Sequence, residues 1–208
     1  MIDQPTLLTY LAVLTGFVFL PGPAVLMTLA RSASSGPRAG IATGLGIATG
    51  DLAHTVMAVF GLSAILAASA LLFTIVKYAG ATYLIYLGLR AIFEKSELGV
   101  LTHGPRITMA QAYRQAVVAE LLNPKSALFF LAFLPQFVQP GNGAVPMQLA
   151  LLGLLFVLLG AVSSTAYALA GGSISHFLRR NAFIARWQGR VVGGIYCALG
   201  LRLALQER

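Results

Sequence analysis

The chain has few charged residues for its size. Only 10% of its 208 residues are Asp, Glu, Lys or Arg, whereas 58% are hydrophobic. In soluble domains about a quarter of the residues are charged, and this chain therefore has too few polar groups to cover a water-soluble globule. The composition predicts an integral membrane protein.

Cysteine and the common catalytic motifs are also scarce or missing. Cys197 is the single cysteine, which excludes an intrachain disulfide and a thiol pair for redox relay. The sequence has no P-loop, HExxH or GxSxG motif, and its three histidines are dispersed. We therefore expect no ATP hydrolysis, no metal site and no cofactor, and a membrane-embedded enzyme is the least favoured function.

The basic residues do not indicate nucleic-acid binding, despite a net charge of +8. They fall between apolar runs and do not cluster with aromatic residues in a polar domain, as a nucleic-acid interface requires. The first ten residues contain no Lys or Arg and are followed by no small-residue cleavage site. We therefore expect no signal peptide, so the first apolar run is retained.

Long apolar runs are what the sequence does contain. They cover residues 6–30, 41–66, 70–92, 111–138, 147–172 and 190–205. A helix needs about 20 residues to cross the hydrocarbon layer. The runs are longer than barrel strands and lack their two-residue alternation. The sequence therefore predicts an all-α membrane protein with six transmembrane helices.

Most of the fourteen Lys and Arg residues flank three alternate connections between these runs. They are Arg31, Arg38, Arg90, Lys95, Arg106, Arg114, Arg179, Arg180, Arg186 and Arg190. The connections around 67–69 and 139–146 carry none. Because basic loops stay in the cytoplasm, we predict a multi-pass protein of the bacterial inner membrane with both termini outside.

Two pairs of runs share a pattern. KYAGATYLIYLGLR (77–90) resembles RVVGGIYCALGLR (190–202), and LPGPAVLMTLA (20–30) aligns with LNPKSALFFLA (122–132). Chance similarity between lipid-facing segments is the alternative explanation, and the shared spacing favours a repeat. Each copy would contain three spans, an odd number, so the second copy must be inverted in the membrane.

The predicted organisation follows from this repeat. One membrane domain, 1–208, divides into a first repeat (1–93), a polar linker (94–107) and a second repeat (108–208). The first and fourth spans each contain a proline break, at Pro21-Gly22-Pro23 and at Asn123-Pro124-Lys125. The alternative is that each proline only kinks its helix and has no functional role. Breaks at matched positions favour an inward-facing polar cavity, where a half-helix N-terminus can meet an anionic group.

Asp51 lies inside a run of small and apolar residues. An isolated charge at mid-bilayer costs about 2.5–3.5 kcal/mol, and such residues usually mark ion or substrate paths. Lys125 is the predicted partner, with a static ion pair as the alternative. His54, three residues on, shares the helix face; it is either a proton carrier or a neutral core histidine bonded to a carbonyl. Glu120 is assigned either to the cytoplasmic mouth or to the cavity.

The chain resembles the LysE/RhtB family of amino-acid exporters along nearly its whole length. The resemblance rests on PGPAVLMTLARSASSGPRAGIATGLGIATGD (21–51), KYAGATYLIYLGLRAIF (77–93) and NPKSALFFLAFLPQFV (123–138). It implies export of amino acids or close analogues, driven by the proton motive force. It does not imply a particular amino acid.

The sequence thus predicts a secondary transporter, with a passive channel or cation permease as the alternative. Substrate would bind at the midplane between the two breaks, and the expected partners are an amino acid and membrane lipid. Small-residue faces, such as 40–50 and Gly171-Gly172, offer a surface for a homodimer or for packing within one chain. The predicted substrate-binding or coupling residues are Pro21, Gly22, Pro23, Asp51, His54, Asn123, Pro124 and Lys125.

Overall fold

The computed structural model describes residues 2–19, 22–64, 70–93, 106–180 and 182–205. The helices in these residues are α1 (Gln4–Phe19), α2 (Pro23–Ser35), α3 (Pro37–Met57), α4 (Ala70–Phe93), α5 (Met109–Leu121), α6 (Pro124–Leu128), α7 (Val145–Arg180) and α8 (Ala182–Leu205). A π-helical turn, Ala58–Leu62, continues α3, and another, Phe129–Phe133, continues α6 into a 3₁₀ turn at Leu134–Phe137. No strand occurs among the described residues, and the all-helical prediction is confirmed for them.

Several of these helices are long and apolar enough to cross a membrane. Pro37–Leu62 and Val145–Gly171 each qualify alone. Two bent pairs also qualify when each pair counts as one span: α1 with α2, bent by 46°, and α5 with Pro124–Phe137, bent by 44°. The described residues therefore contain two to four candidate spans. Six spans in an inverted repeat stay a prediction, and residues 94–105 of the linker lie outside the described residues.

Large apolar side chains cover the outer faces of the helices. Phe60, Leu71 and Leu158 are 75%, 69% and 63% exposed, and many other leucines and valines are similarly uncovered. A soluble monomer rarely exposes apolar patches on this scale. These surfaces are the ones that lipid covers in a membrane protein.

Helix α3 packs closely against α5 and α7 because glycines line its inner faces. A β-carbon on Gly44 would lie 2.9 Å from Cβ of Ser164, and one on Gly50 would lie 2.6 Å from Cβ of Glu120. Gly40 and Gly171 both face Ser32 of α2. The small-residue faces singled out in the sequence are thus used for packing within the chain.

An aromatic cluster fills the space between α1, α6 and α7. The Phe129 ring lies 4.5 Å from the Phe17 ring and 4.8 Å from the Phe156 ring, measured between centroids. Tyr10 is fully buried in the same cluster and donates its hydroxyl to the Leu152 carbonyl at 2.7 Å. This cluster fixes the C-terminal half of α1, where the first helix break begins.

Polar contacts mark the two ends of the bundle. At one end, Asp3 accepts a hydrogen bond from Nε2 of Gln139 at 2.5 Å, so the N-terminal residues lie beside the 139–146 connection. At the other end, Arg31 donates to Oε1 of Gln115 at 2.8 Å. The 139–146 connection, which contains no Lys or Arg, and Arg31 therefore lie at opposite ends.

Candidate functional site

The first helix break leaves backbone carbonyls without their usual donors. Helix α1 ends at Phe19, and α2 begins at Pro23. In an uninterrupted helix the carbonyls of Phe17 and Phe19 would accept from the N–H groups of residues 21 and 23. Both of those residues are proline, which has no N–H. In hydrocarbon each unsatisfied carbonyl would cost several kcal/mol.

Side chains from the second half of the chain supply the missing donors. Three consecutive carbonyls at the end of α1 each accept one side-chain hydrogen bond: Phe17 from Lys125 Nζ (3.1 Å), Val18 from Ser163 Oγ (2.8 Å) and Phe19 from the Tyr167 hydroxyl (2.8 Å). The backbone of the break is therefore satisfied at α1, and the break is held open by protein contacts.

At the second break, a side chain of the break itself caps the following helix. Helix α5 ends at Leu121, and α6 begins at Pro124, with Asn123 as the N-cap residue. Oδ1 of Asn123 accepts from the Lys125 N–H at 3.0 Å, which satisfies one of the free donors of α6. The first turn of α6 is thus occupied by a side chain of the same segment.

Helix α2 has no such cap. Its N-cap residue is Gly22, which has no side chain, and Pro23 takes the first helical position. Ala24 and Val25 follow, and Gly22, Ala24 and Val25 all line a cavity. The positive end of α2 and its first N–H groups therefore face this cavity without a side-chain acceptor from the N-cap.

The cavity lies between the two breaks and has a volume of about 40 Å³. That volume holds a few water molecules. Its polar lining comes from α3, α5, α6 and α7, with Asn123 at the α5–α6 break, and its apolar walls are Phe17, Val25, Ile47 and Phe156. The polar lining residues are Asp51, Glu120, Asn123, Lys125, Ser126 and Ser164.

Two carboxyl groups face each other in this cavity. Asp51 and Glu120 are each only 2% exposed, and their side chains are close enough to interact directly. Oδ1 of Asp51 is buried and has no hydrogen-bond partner among the described residues. A buried polar atom without a partner is costly, and it marks the point where a ligand or water can bind.

Lys125 lies in the cavity with Asp51 and within electrostatic range of it. The described residues show no ion pair between the two, which differs from the pairing that the sequence suggested. Nζ of Lys125 instead donates to the Phe17 carbonyl and lies 4.2 Å from the Phe17 ring centroid and 5.4 Å from that of Tyr196. The physical reason is the break in α1, which offers a carbonyl that has lost its own donor.

His54 does not line the cavity. Its Nε2 lies 3.0 Å from the backbone carbonyl of Glu120, and its ring stacks on Phe130 at 5.7 Å between centroids. Of the two roles that the sequence left open, this geometry matches the core histidine bonded to a carbonyl. It holds α3 against the end of α5.

The comparison with known families settles which group of proteins this is. Residues 15–207 match the family described as LysE type translocator. The chain belongs to this family. It is a membrane translocator, and the resemblance seen in the sequence is confirmed.

Relatives of this translocator include proteins with and without a described activity. It is 34% identical over 166 residues to the uncharacterized membrane protein YrhP of Bacillus subtilis, covering 76% of this chain and 79% of the relative. It is 30% identical over 201 residues to an uncharacterized membrane protein of Pseudomonas aeruginosa, covering 94% and 93%. It is 25% identical over 197 residues to the leucine efflux protein of Salmonella typhimurium, also covering 94% and 93%. No solved structure matches the translocator.

The structure gathers four of the eight predicted site residues of the translocator around one cavity. Gly22, Asp51, Asn123 and Lys125 line it. Pro23 and Pro124 begin the two half-helices, and Pro21 lies outside the described residues.

Three residues at the site were left open or missed from the sequence. The sequence does not distinguish a position of Glu120 at the cytoplasmic mouth from one in the cavity. It does not predict Ser126 or Tyr196 as site residues. The spacing Glu-x-x-Asn (120–123) carries a signal for Glu120, because it puts a carboxylate one helical turn before a capping amide.

Proposed function

We propose that this translocator is a secondary transporter of the bacterial inner membrane that exports amino acids from the cytoplasm in exchange for protons. Family membership and the leucine efflux relatives support amino-acid export. The cavity between the helix breaks supports a binding site near the middle of the bundle, because the half-helices α2 and α6 both begin beside it.

One observation carries the proposed binding mode. The uncapped start of α2 and the unpartnered oxygen of Asp51 line the same cavity. An amino acid has a carboxylate that suits helix N–H groups and an ammonium group that suits a buried carboxylate. In this proposal the substrate carboxylate binds at Ala24 and Val25, and the ammonium group binds at Asp51. When substrate is absent, a proton takes the place of the ammonium group on Asp51, which couples export to proton entry.

The cavity is much smaller than an amino acid needs, and substrate entry therefore requires the bundle to open. We propose that six helices in two inverted repeats provide this motion, with one repeat rocking against the other. The packing of α4 on α8 supports the repeat. Gly88 approaches the Gly193 carbonyl, and Gly200 approaches the Ala81 carbonyl. These contacts make α4 and α8 antiparallel, as the third and sixth spans of an inverted repeat must be.

The separation of charged and uncharged ends supports the proposed topology. Arg31 and Arg38 lie near the end of the bundle that also holds Gln115, and the N-terminal residues lie at the other end with Gln139. By the positive-inside rule, the basic end faces the cytoplasm, and the N-terminus faces outward.

The proposal is tested with purified protein in vesicles loaded with a mixture of all the common amino acids. We expect a few amino acids to leave selectively, to leave faster when the outside is more acidic, and to exchange with external substrate at a saturable rate. Empty vesicles are the control for leakage. Non-saturable release without exchange would indicate the passive channel instead, and release of no amino acid would refute amino-acid export.

A further inference from the structure

Glu120 is the least expected member of the cavity, and its surroundings differ from those of Asp51. The amide nitrogen Nδ2 of Asn123 lies 3.1 Å from each Glu120 carboxyl oxygen. The hydroxyl of Ser126 donates to Oε1 of the same carboxyl group. All three residues belong to the Glu-x-x-Asn-Pro-Lys-Ser segment, so the second helix break itself builds a donor set around this carboxylate.

Asp51 faces Glu120 with far less support. Its Oδ1 has no partner among the described residues, and the side-chain contact of its carboxyl group is with the Glu120 carboxyl itself. Two carboxylates in a water-poor site repel each other strongly enough that the pair retains a proton. Hydrogen-bond donors favour the charged form of the group that they contact. The second break therefore supplies hydrogen-bond donors to Glu120, while Oδ1 of Asp51 has none.

Three of the other ionisable groups around the pair are engaged, whereas the Tyr196 hydroxyl of α8, beside Lys125, has no hydrogen-bond partner among the described residues. Lys125, from α6, bonds to the Phe17 carbonyl. His54, from α3 itself, is bonded to the Glu120 backbone carbonyl, and Tyr113 of α5 pairs with Thr49 at 3.0 Å. From α7 and α2 the cavity lining is Gly160, Ser164, Ala24 and Val25, none of which titrates.

The charged groups in the cavity indicate how many protons are exchanged for each amino acid. Lys125 balances an ionised Glu120, and the start of α2 meets the substrate carboxylate, so Asp51 is the one carboxylate left to take up a proton or an ammonium group. We propose that Asp51 and Glu120 act as a carboxyl pair that holds one cation at a time, either a proton or the substrate ammonium group, with Glu120 as the fixed anion. This inference rests on the proposed export function and deepens it, because it assigns Glu120 a role and predicts exchange of one proton for each amino acid.

The test uses full-length protein in vesicles and the amino acid that leaves wild-type vesicles fastest from the mixture. Three quantities are measured: the rate of release driven by a pH gradient, the number of protons taken up per amino acid released, and the rate of exchange of labelled for unlabelled substrate without a gradient. For Glu120→Gln we expect the half-saturating concentration for exchange to rise roughly 30-fold or more, because one partner of a buried charged set is lost. For Asp51→Asn we expect exchange to weaken and acceleration by the pH gradient to disappear.

Asp3→Asn is the matched control, since it removes a carboxylate that lies outside the cavity, and it should leave both rates unchanged. Thermal unfolding of each variant in detergent identifies misfolding. If Glu120→Gln does not fold, Ser126→Ala provides the second test, with an expected shift of the pH midpoint of gradient-driven release.

The outcomes separate the two proposals. A wild-type protein that transports with one proton per amino acid, together with the variant effects above, supports the carboxyl pair. A transporting wild type whose Glu120→Gln variant keeps normal exchange and normal acceleration overturns the pair while export stands. A wild type that moves no amino acid in either assay overturns export itself.

Discussion

Replacing Gly50 by alanine tests whether the close approach of α3 and α5 sets the position of Glu120. The added β-carbon would lie 2.6 Å from Cβ and 2.9 Å from Cγ of Glu120. Carbon atoms in contact prefer about 3.5–4.0 Å, so the two helices must separate by about 1 Å. The contacted Cβ is fixed to the α5 backbone, and the side chain cannot simply rotate away.

The magnitude follows from two opposing effects. Overpacking a filled site typically costs about 1–3 kcal/mol. Alanine in a helix recovers about 0.5–1 kcal/mol relative to glycine. We therefore expect Gly50→Ala to lower the free energy of unfolding, by up to about 2.5 kcal/mol. Because Glu120 moves with α5, we also expect substrate exchange to fall by more than the loss of folded protein explains.

Gly16→Ala is the matched control, since a β-carbon there meets no atom within 4 Å. Thermal unfolding in detergent and exchange in vesicles should be measured for both variants. We expect Gly16→Ala to be as stable as the wild type or slightly more stable. A Gly50→Ala protein with the stability and exchange rate of Gly16→Ala would refute the packing account.

Three further predictions concern groups around the site and at the N-terminal end. Tyr167→Phe removes the donor to the Phe19 carbonyl and should lower the free energy of unfolding by about 0.5–1.5 kcal/mol, measured by thermal unfolding; an unchanged value would mean that this carbonyl has another partner. His54→Gln should retain acceleration of transport by a pH gradient, because His54 is bonded to the Glu120 backbone carbonyl and does not line the cavity. A folded variant that loses this acceleration would show that His54 carries protons after all. The pKa of Asp3 is lowered from its usual 3.8 by hydrogen bonds to its carboxylate, so its stabilisation should be present above that value and lost as the pH falls below it; Asp3→Asn should therefore be less stable than wild type near neutral pH, and the difference in melting temperature should vanish in acid.

Composition was sufficient to predict the helical class and the membrane location, because a chain with 10% charged residues has few alternatives. The family could likewise be predicted from short motifs around Pro21 and Asp51. The number of spans and their inverted arrangement are still predictions. They depend on how bent pairs and short helices sit in lipid, which hydropathy alone does not determine.

The hydrogen bonds of the site were harder to predict. Charge counting pairs Asp51 with Lys125, since they are opposite charges in apolar runs. In the structure Lys125 donates a hydrogen bond to the Phe17 carbonyl. This carbonyl lacks a backbone donor because residue 21, four positions later, is proline and has no N–H. The direction of the Glu120 side chain depends on the angle between α5 and α6, and no local pattern specifies that angle.

The donors at the end of α1 have a consequence for how the chain assembles. Helix α1 lies in the predicted first repeat, yet its described side-chain hydrogen bonds to other elements go to residues after the linker, from Gln139 near its start to Lys125 and Tyr167 at its end. In return, Ala132, which also follows the linker, packs against Gly80 of α4. The segments before and after the linker therefore pack into each other and do not form two separate bundles. A chain divided at the linker would separate α1 from these partners, and we expect the two parts to reach their folded form only when they are synthesised or mixed together.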